Sequence, residues 1–469
     1  MATADRIARE IRASCRRMQR RAAIVGAGVT GLVAGRELAR RGFAVTLYER
    51  WPDVGGQASA FDVGGGVLVE RYYHHLFRSD REMIALHEEL LPGTLEWHRS
   101  SVGMYSGGRI WPFVSPRDLL AYAPLPPLER LRLGLAVLRL VRRRDWQRMD
   151  DVGALAWLRG ASGEHTLASV WRPLMLGKFG EDAERIPLAW LWSKFVLRRS
   201  KLGGKSATGE LLGYPRGSFQ AICRALADDL RARGGSICLD REVVRIRRAD
   251  DGLILDCAGP GEYRRPLGGA SAVSANEARA DVVLLTTSTT IAARLVEWPS
   301  SFRERLASWR YRAAVVLLME LRRPFSQTYW VNVADMNAPF LGLVEHTNLV
   351  PAERYPARYL YVSNYVAPDD PLARMSTDEL TRHYVSALRQ MNPRFREGDV
   401  QRVWSFREDA AQPVPEIGNR HRLLPFETPI PSVFLANTTQ IYPEDRGTNY
   451  SVRLGREVAT RIADLGSGR

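Results

Sequence analysis

Gly26-Ala27-Gly28-Val29-Thr30-Gly31 is the first stretch whose residue types and spacing could do chemistry. Three glycines at these intervals permit a tight turn and let a pyrophosphate approach the backbone. A helix opening there would offer free N–H groups and the positive end of its dipole. Glu49 stands at the end of the next apolar run, with Arg50 beside it, and can accept hydrogen bonds from a ribose. Gly55-Gly56-Gln57 follows closely and would lay a second backbone segment against the same ligand. Next comes Glu70-Arg71-Tyr72-Tyr73-His74-His75. Two histidines beside two tyrosines suit acid–base work or a hydrogen bond to substrate, and suit equally the packing of a strand end.

Lysine usage marks another place. Of 67 lysines and arginines only four are lysine, namely Lys178, Lys194, Lys201 and Lys205. An ammonium is a compact charge with a tunable pKa, a role that arginine cannot take over. Around Arg198, Lys201 and Lys205 the cations flank the Gly203-Gly204 turn. Such a pattern suits a phosphate or diphosphate, or else a solvated basic loop.

These residues need elements to hold them. Ala22–Val25 reads as a buried strand, Gly31–Arg41 as a helix and Phe43–Tyr48 as a second strand, so the glycine turn sits inside half of a βαβ unit. Helices are expected at Leu128–Val141, Gln220–Arg233, Thr377–Met391 and Ser451–Leu465. Strands are expected at Ser236–Leu239, Glu242–Arg247, Asp281–Thr286, Ala313–Glu320, Tyr359–Val366 and Val433–Ala436. Residues 79–207, rich in Trp, Pro and Arg, read as an inserted and largely helical region.

The chain has 469 residues, 45% hydrophobic and 25% charged, enough for two or three domains with a large core. A net charge of +15 favours an anionic partner, although arginine-rich surfaces also arise without one. Nucleic acid is disfavoured, because no nucleic-acid module is present. Cys15, Cys223, Cys238 and Cys257 form neither a CxxC pair nor a ligand set with histidine, so no metal is expected and a reducing cytoplasm fits. No run reaches the roughly 20 apolar residues that span a bilayer. Arg6–Arg21 reads as a frayed basic helix, and Leu119–Trp146, apolar with arginines, as a helix packed in the insert or docked peripherally on a membrane.

The glycine turn with Glu49, followed by the Gly55-Gly56 doublet, resembles the FAD-dependent superfamily of monoamine oxidases, protoporphyrinogen oxidases and phytoene desaturases, whose fold UDP-galactopyranose mutases share. Two further stretches extend the resemblance. Tyr214–Phe219 with Gly234-Gly235 and Val243 resembles the middle FAD segment, where the Val243 backbone would meet the adenine. Phe434–Asn437, Tyr442–Gly447, Asn449 and Ser451–Gly455 resemble the C-terminal flavin segment. Gln57 stands where many members have arginine. Asn437 and Thr438 stand where many have Gly and an acid, leaving Glu444 or Asp445 as substitutes.

The resemblance implies an α/β fold with a discontinuous Rossmann-like FAD-binding domain (22–78, 208–300 and 430–469) and an inserted α+β substrate domain (79–207 and 301–429), after a basic extension (1–21). It implies cofactor contacts at Gly26, Gly28, Gly31, Glu49, Arg50, Gly55, Gly56, Gln57, Val243, Asn437, Asp445, Gly447, Asn449 and Ser451. Tyr72, Tyr73, His74 and His75 would lie near the flavin, and Arg198, Lys201 and Lys205 would hold an anionic small-molecule substrate. The implied reaction is hydride transfer to the flavin. The alternative is a non-redox sugar-nucleotide mutase.

Overall fold

The structure, a computed structural model, describes residues 19–199, 210–259 and 276–466, with side chains for all of these except 197–199. Residues 6–18 of the expected frayed helix, Lys201, Lys205 and the Arg198 side chain lie outside the described residues; the end of that helix is corrected, since 19–20 are irregular and Arg21 already belongs to the first strand, where it pairs with Ala44.

Five short apolar strands make one parallel sheet in the order Ser236–Cys238, Ala44–Tyr48, Arg21–Val25, Val282–Leu285, Val433–Leu435. Counted along the chain this order is 3-2-1-4-5, the doubly wound arrangement with its crevice at the carboxyl ends of the strands. Arg21–Val25, Val282–Leu285 and Val433–Leu435 are buried on both faces, as continuous runs such as Val282–Leu285 (VVLL) demand, while Ala44–Tyr48 and Ser236–Cys238 are only partly covered. Helix Val29–Arg40 packs on helix Thr448–Gly466 with almost no clearance: a Cβ on Gly455 would lie 2.8 Å from the Thr30 carbonyl oxygen. The 2%-exposed Arg36 ties the first helix to two others, through Asp229 of Phe219–Ala232 at 2.6 Å and through Glu89 of Arg81–Leu90.

A three-stranded antiparallel sheet, Glu242–Ala249, Gly252–Ala258 and Asn276–Ala280, flanks this body. A seven-stranded mixed sheet forms the second layer, in the order Val400–Pro413, Tyr311–Leu321, Arg358–Val366, Gly342–Glu345, Trp330–Val333, Val102–Ser106, Arg109–Pro112. Its last two strands come from the region expected to be largely helical. Residues 95–112 are three strands, and Leu95–Ser100 pairs with Glu210–Pro215. Those strands carry Trp97, His98, Arg99 and Arg109 among short apolar stretches, so alternation was a weak signal there. The rest of the insert, from Pro116 to Arg199, is helical and buries its own core around Leu155, Phe179 and Trp190.

Candidate functional site

At the carboxyl end of strand Arg21–Val25 the chain turns at Gly26 (φ +107°) and enters helix Val29–Arg40 at Gly28. No side chain caps this helix, so its first amides face outward. A Cβ on Gly31 would lie 2.0 Å from the Gly26 carbonyl oxygen, so only glycine closes this turn. A Cβ on Gly28 would meet no protein atom within 4 Å. It points into a cleft of about 570 Å³, and that space is where a ligand backbone could come close. Glu49 is buried and accepts from the Ala27 N–H at 2.8 Å and the Trp51 N–H at 3.0 Å, which fixes the turn from below. Burial raises its carboxyl above the ordinary value, and those amide donors pull the other way. The Gly55-Gly56 doublet crosses directly over the turn: the Gly55 N–H donates to the Ala27 carbonyl at 2.8 Å, and a Cβ on Gly56 would sit 3.1 Å from Gly28 Cα.

Gly26, Gly28, Glu49, Arg50, Gly55, Gly56, Gln57, Val243, Asn437, Gly447 and Ser451 all line this one cleft. Gly31 lies behind the turn. The amino end of helix Thr448–Gly466 reaches the same space through Gly447, Thr448 and Ser451. The opposite wall is the edge strand of the seven-stranded sheet, through Ser405, Phe406, Arg407 and Glu408.

Two sequence expectations take a different place. Asn449 accepts from the Glu82 and Met83 N–H groups, at 2.9 and 3.2 Å, and so caps helix Arg81–Leu90 instead of lining the cleft. Asp445, which is buried, accepts from Lys178 Nζ at 2.7 Å, Lys194 Nζ at 2.5 Å and Gln412 Nε2 at 2.9 Å. The two ammonium groups hold its carboxyl well below the usual range against the cost of burial. It too lies off the cleft wall.

The Tyr72–His75 run splits. Tyr72 and His74 line the cleft. His74 Nδ1 bonds the Tyr72 carbonyl oxygen at 2.5 Å and its ring stacks near Phe219; burial lowers its pKa to about 4, so the ring is neutral at physiological pH. Tyr73 and His75 point away, into an aromatic cluster with Trp330, Tyr361 and Tyr329, where His75 Nδ1 and Tyr329 Oη are 2.9 Å apart. For these two the packing alternative describes the geometry.

Arg446 was not singled out by the sequence and lies at the centre. It lines the cleft, donates to Gln57 Oε1 at 3.4 Å and Gln412 Oε1 at 3.2 Å, and bonds Tyr365 Oη. A guanidinium thus stands at the amide of Gln57, the residue that replaces the arginine expected after the doublet. Lys178 and Lys194 were visible as members of the lysine cluster. Their shared partner Asp445 is about 250 residues away in the chain, beyond any local signal.

An uncapped helix start beneath an open glycine, a buried acid, a second glycine segment and a second helix start, all on one cleft, define a dinucleotide-binding oxidoreductase fold. The family described as flavin containing amine oxidoreductase matches residues 29–463, and the chain belongs to that family. Its cofactor is FAD, and the family is one of oxidoreductases. Among curated proteins it is similar to a probable zeta-carotene desaturase of Synechococcus elongatus, 26% identical over 48% of this chain and 51% of that protein. It is also similar to a 15-cis-phytoene desaturase of the same organism, 23% identical over 50% of this chain and 52% of that protein. The match thus spans about half the length of these relatives. Among solved structures, a putative protoporphyrinogen oxidase from Exiguobacterium superposes with TM-score 0.73 at 17% identity, covering 95% of this chain and 99% of that one. Reduced UDP-galactopyranose mutase superposes with TM-score 0.72 at 15% identity, covering 95% and 96%.

Proposed function

We propose that this protein oxidises a largely apolar substrate by removing hydride from a C–H bond, as a dehydrogenase or desaturase. The observation that carries the reading is the single cleft on which the Gly26–Gly31 turn, the glycine doublet and two helix starts converge. FAD bound there would supply the two-electron acceptor. The backbone amides after Gly28 would hold its pyrophosphate, Glu49 a ribose, and the start of helix Thr448–Gly466 the flavin end. Residues 22–78, 208–300 and 430–469 would form the cofactor unit, and 79–207 with 301–429 the substrate unit.

Tyr72 and His74 line the cleft and would face the substrate there. Burial raises the tyrosine hydroxyl above its ordinary range and keeps the histidine neutral. Tyr72 beside the Phe406 ring and His74 beside the Phe219 ring therefore present uncharged polar atoms, which suits an apolar substrate better than an ionised one. The desaturase names among the relatives point the same way. An anionic end group would be taken by Arg198, Lys201 and Lys205. Replacing Lys201 and Lys205 together by Met should then raise KM with kcat unchanged; unaltered kinetics would remove the anion site.

The test of the reaction is anaerobic. Acid release should yield FAD, and an isoprenoid-type substrate should bleach the flavin absorbance while losing two hydrogens. Support for the mutase alternative is fold alone; a product isomeric with its substrate, formed only by reduced enzyme, would replace the oxidative reading by that one.

A further inference from the structure

Helix Pro127–Arg142 shows two unlike faces. Leu133, Ala136 and Leu140 are buried against the insert, as an amphipathic helix requires. The other face is not polar. Leu128, Leu131, Leu135 and Leu138 recur at helical spacing and are 59%, 55%, 43% and 41% exposed. Val114 and Leu120, just before the helix, are 41% and 59% exposed. These six are more than half of the large exposed hydrophobic residues among the described part of the chain, gathered in 25 positions. Scattered apolar residues are ordinary on a surface, whereas a contiguous stripe marks an interaction site.

The charge around the stripe indicates its partner. Arg132 and Arg139 lie on its flank, one residue round the helix, and Arg142, Arg143 and Arg144 follow at its end, all five exposed. The acids of this stretch are engaged by the protein itself: Asp145, exposed after the arginine run, pairs with Arg148 at 3.1 Å. Asp118 accepts from the Val114 and Ser115 N–H groups, and Glu129 accepts from Thr166 Oγ1 and contacts His165. The outward face of helix Pro127–Arg142 is therefore leucine and arginine, since its one acid, Glu129, is held by Thr166 and His165. Two copies placed face to face would set arginine against arginine, which disfavours self-association. A surface with apolar depth and negative headgroups matches both features: leucines enter the acyl boundary while arginine stems lie along it and their heads reach phosphate. No helix among the described residues is long and apolar enough to cross a bilayer, so the contact would be in plane.

We infer that the Leu128–Leu138 face, ringed by Arg132, Arg139 and Arg142–Arg144, docks the protein peripherally on an anionic lipid bilayer. The inference does not depend on the substrate proposed above.

The test is flotation of the full-length, FAD-loaded protein with vesicles of phosphatidylglycerol and phosphatidylcholine, and with phosphatidylcholine alone. The protein should float with the anionic vesicles at low salt. L131D/L135D, at exposed positions that leave the buried face intact, should partition roughly tenfold less or worse at unchanged FAD content. R139Q/R142Q/R143Q should bind more weakly and lose most of the salt dependence, because about 0.5 M salt screens charges beyond a few Å. A wild-type protein that stays at the bottom with both vesicle types overturns the inference, as does L131D/L135D floating like wild type. A wild-type dimer that L131D/L135D converts to monomer, without vesicle binding, would assign the face to a second copy and equally overturn it.

Discussion

The two walls of the cleft are built from different materials. The Gly26–Gly31 wall is backbone: a turn, a helix start and a crossing doublet, all within about 30 residues. The Arg446 wall is side chains: Arg446 meets Gln57 and Gln412, and behind the wall its neighbour Asp445, off the cleft itself, meets Lys178 and Lys194. The first wall has no spare volume behind Gly31 and open space only over Gly28, and its chemistry is that of backbone N–H groups, which side-chain changes other than to proline leave in place. The second depends on charges in balance, and it tolerates change only when partners change together. The same cleft is thus rigid along the glycine turn, where the proposed pyrophosphate would lie, and adjustable on the side of the sheet that would meet substrate.

The strongest way to break this contrast is at neighbouring glycines. G31A puts a methyl 2.0 Å from a carbonyl oxygen, and we expect more than about 3 kcal/mol of destabilisation, seen as insoluble or FAD-free protein. G28A meets no protein atom. It should fold with an unchanged urea midpoint and bind FAD about tenfold more weakly or worse, a loss of about 1.4 kcal/mol. If G28A keeps its full flavin content, the open space over Gly28 is not where the pyrophosphate lies.

Glu70 is buried just ahead of the Tyr72–His74 stretch that lines the cleft. It is fully buried, accepts from Tyr214 Oη at 2.8 Å and the Phe219 N–H at 2.8 Å, and burial raises its carboxyl to about 7. Between the unfolded value near 4.5 and about 7 the folded state holds a proton that the unfolded state has lost. Stability should therefore fall as pH rises through that window, by about 3 kcal/mol, and level off above it. Urea midpoints across pH 4.5–8 measure the slope. E70Q, which carries no titrating proton, should flatten it, and identical profiles for the two proteins would remove Glu70 as its source.

Charge balance at Asp445 should matter slightly less, because Lys178 and Lys194 keep part of their side chains in water. D445N leaves two ammonium groups crowded without a counter-ion, and we expect a loss of about 2–3 kcal/mol. The triple variant D445L/K178M/K194M should recover most of that stability, since the ion cluster is removed whole. If D445N is as stable as wild type, the second wall does not rest on paired charge.

The contrast also explains what could be read from the sequence. A turn that only glycine can make leaves glycines at fixed spacing, so the Gly26–Gly31 and Gly55-Gly56 segments, the strand before them and the helix after them were legible from residue type alone. Glu49 followed from its place at the end of the next strand. The side-chain wall left only a compositional trace. Lysines clustered at 178–205, but the acid that two of them share is at 445, and nothing local to either segment pairs them. The Tyr72–His75 run was ambiguous for a related reason: successive residues along extended chain face opposite ways, so Tyr72 and His74 came to the cleft and Tyr73 and His75 to the aromatic cluster. The strands at 95–112 were hard to see for a similar reason: Leu95–Ser100 pairs with Glu210–Pro215, and Val102–Ser106 joins its sheet through Trp330–Val333, both far along the chain.

Asn449 offers the smallest and most selective test, because sequence resemblance and geometry assign it differently. As a cofactor contact, its loss would weaken FAD binding and leave stability alone. In the structure its carbonyl oxygen takes the first two free amides of helix Arg81–Leu90, where Asp80 provides no side-chain cap of its own. Removing a cap of this kind costs about 1 kcal/mol. N449A should therefore lower the urea midpoint by that amount with FAD affinity unchanged, and N449D, which keeps an acceptor oxygen at the same helix start, should restore the midpoint. Helix Arg81–Leu90 also carries Glu89, one of the partners of the buried Arg36, so a frayed start there would loosen the helix that follows the glycine turn before it altered the turn itself. A variant that instead loses flavin at an unaltered midpoint would return Asn449 to the cofactor wall and show that the side-chain half of the cleft extends one helical turn further than its geometry indicates.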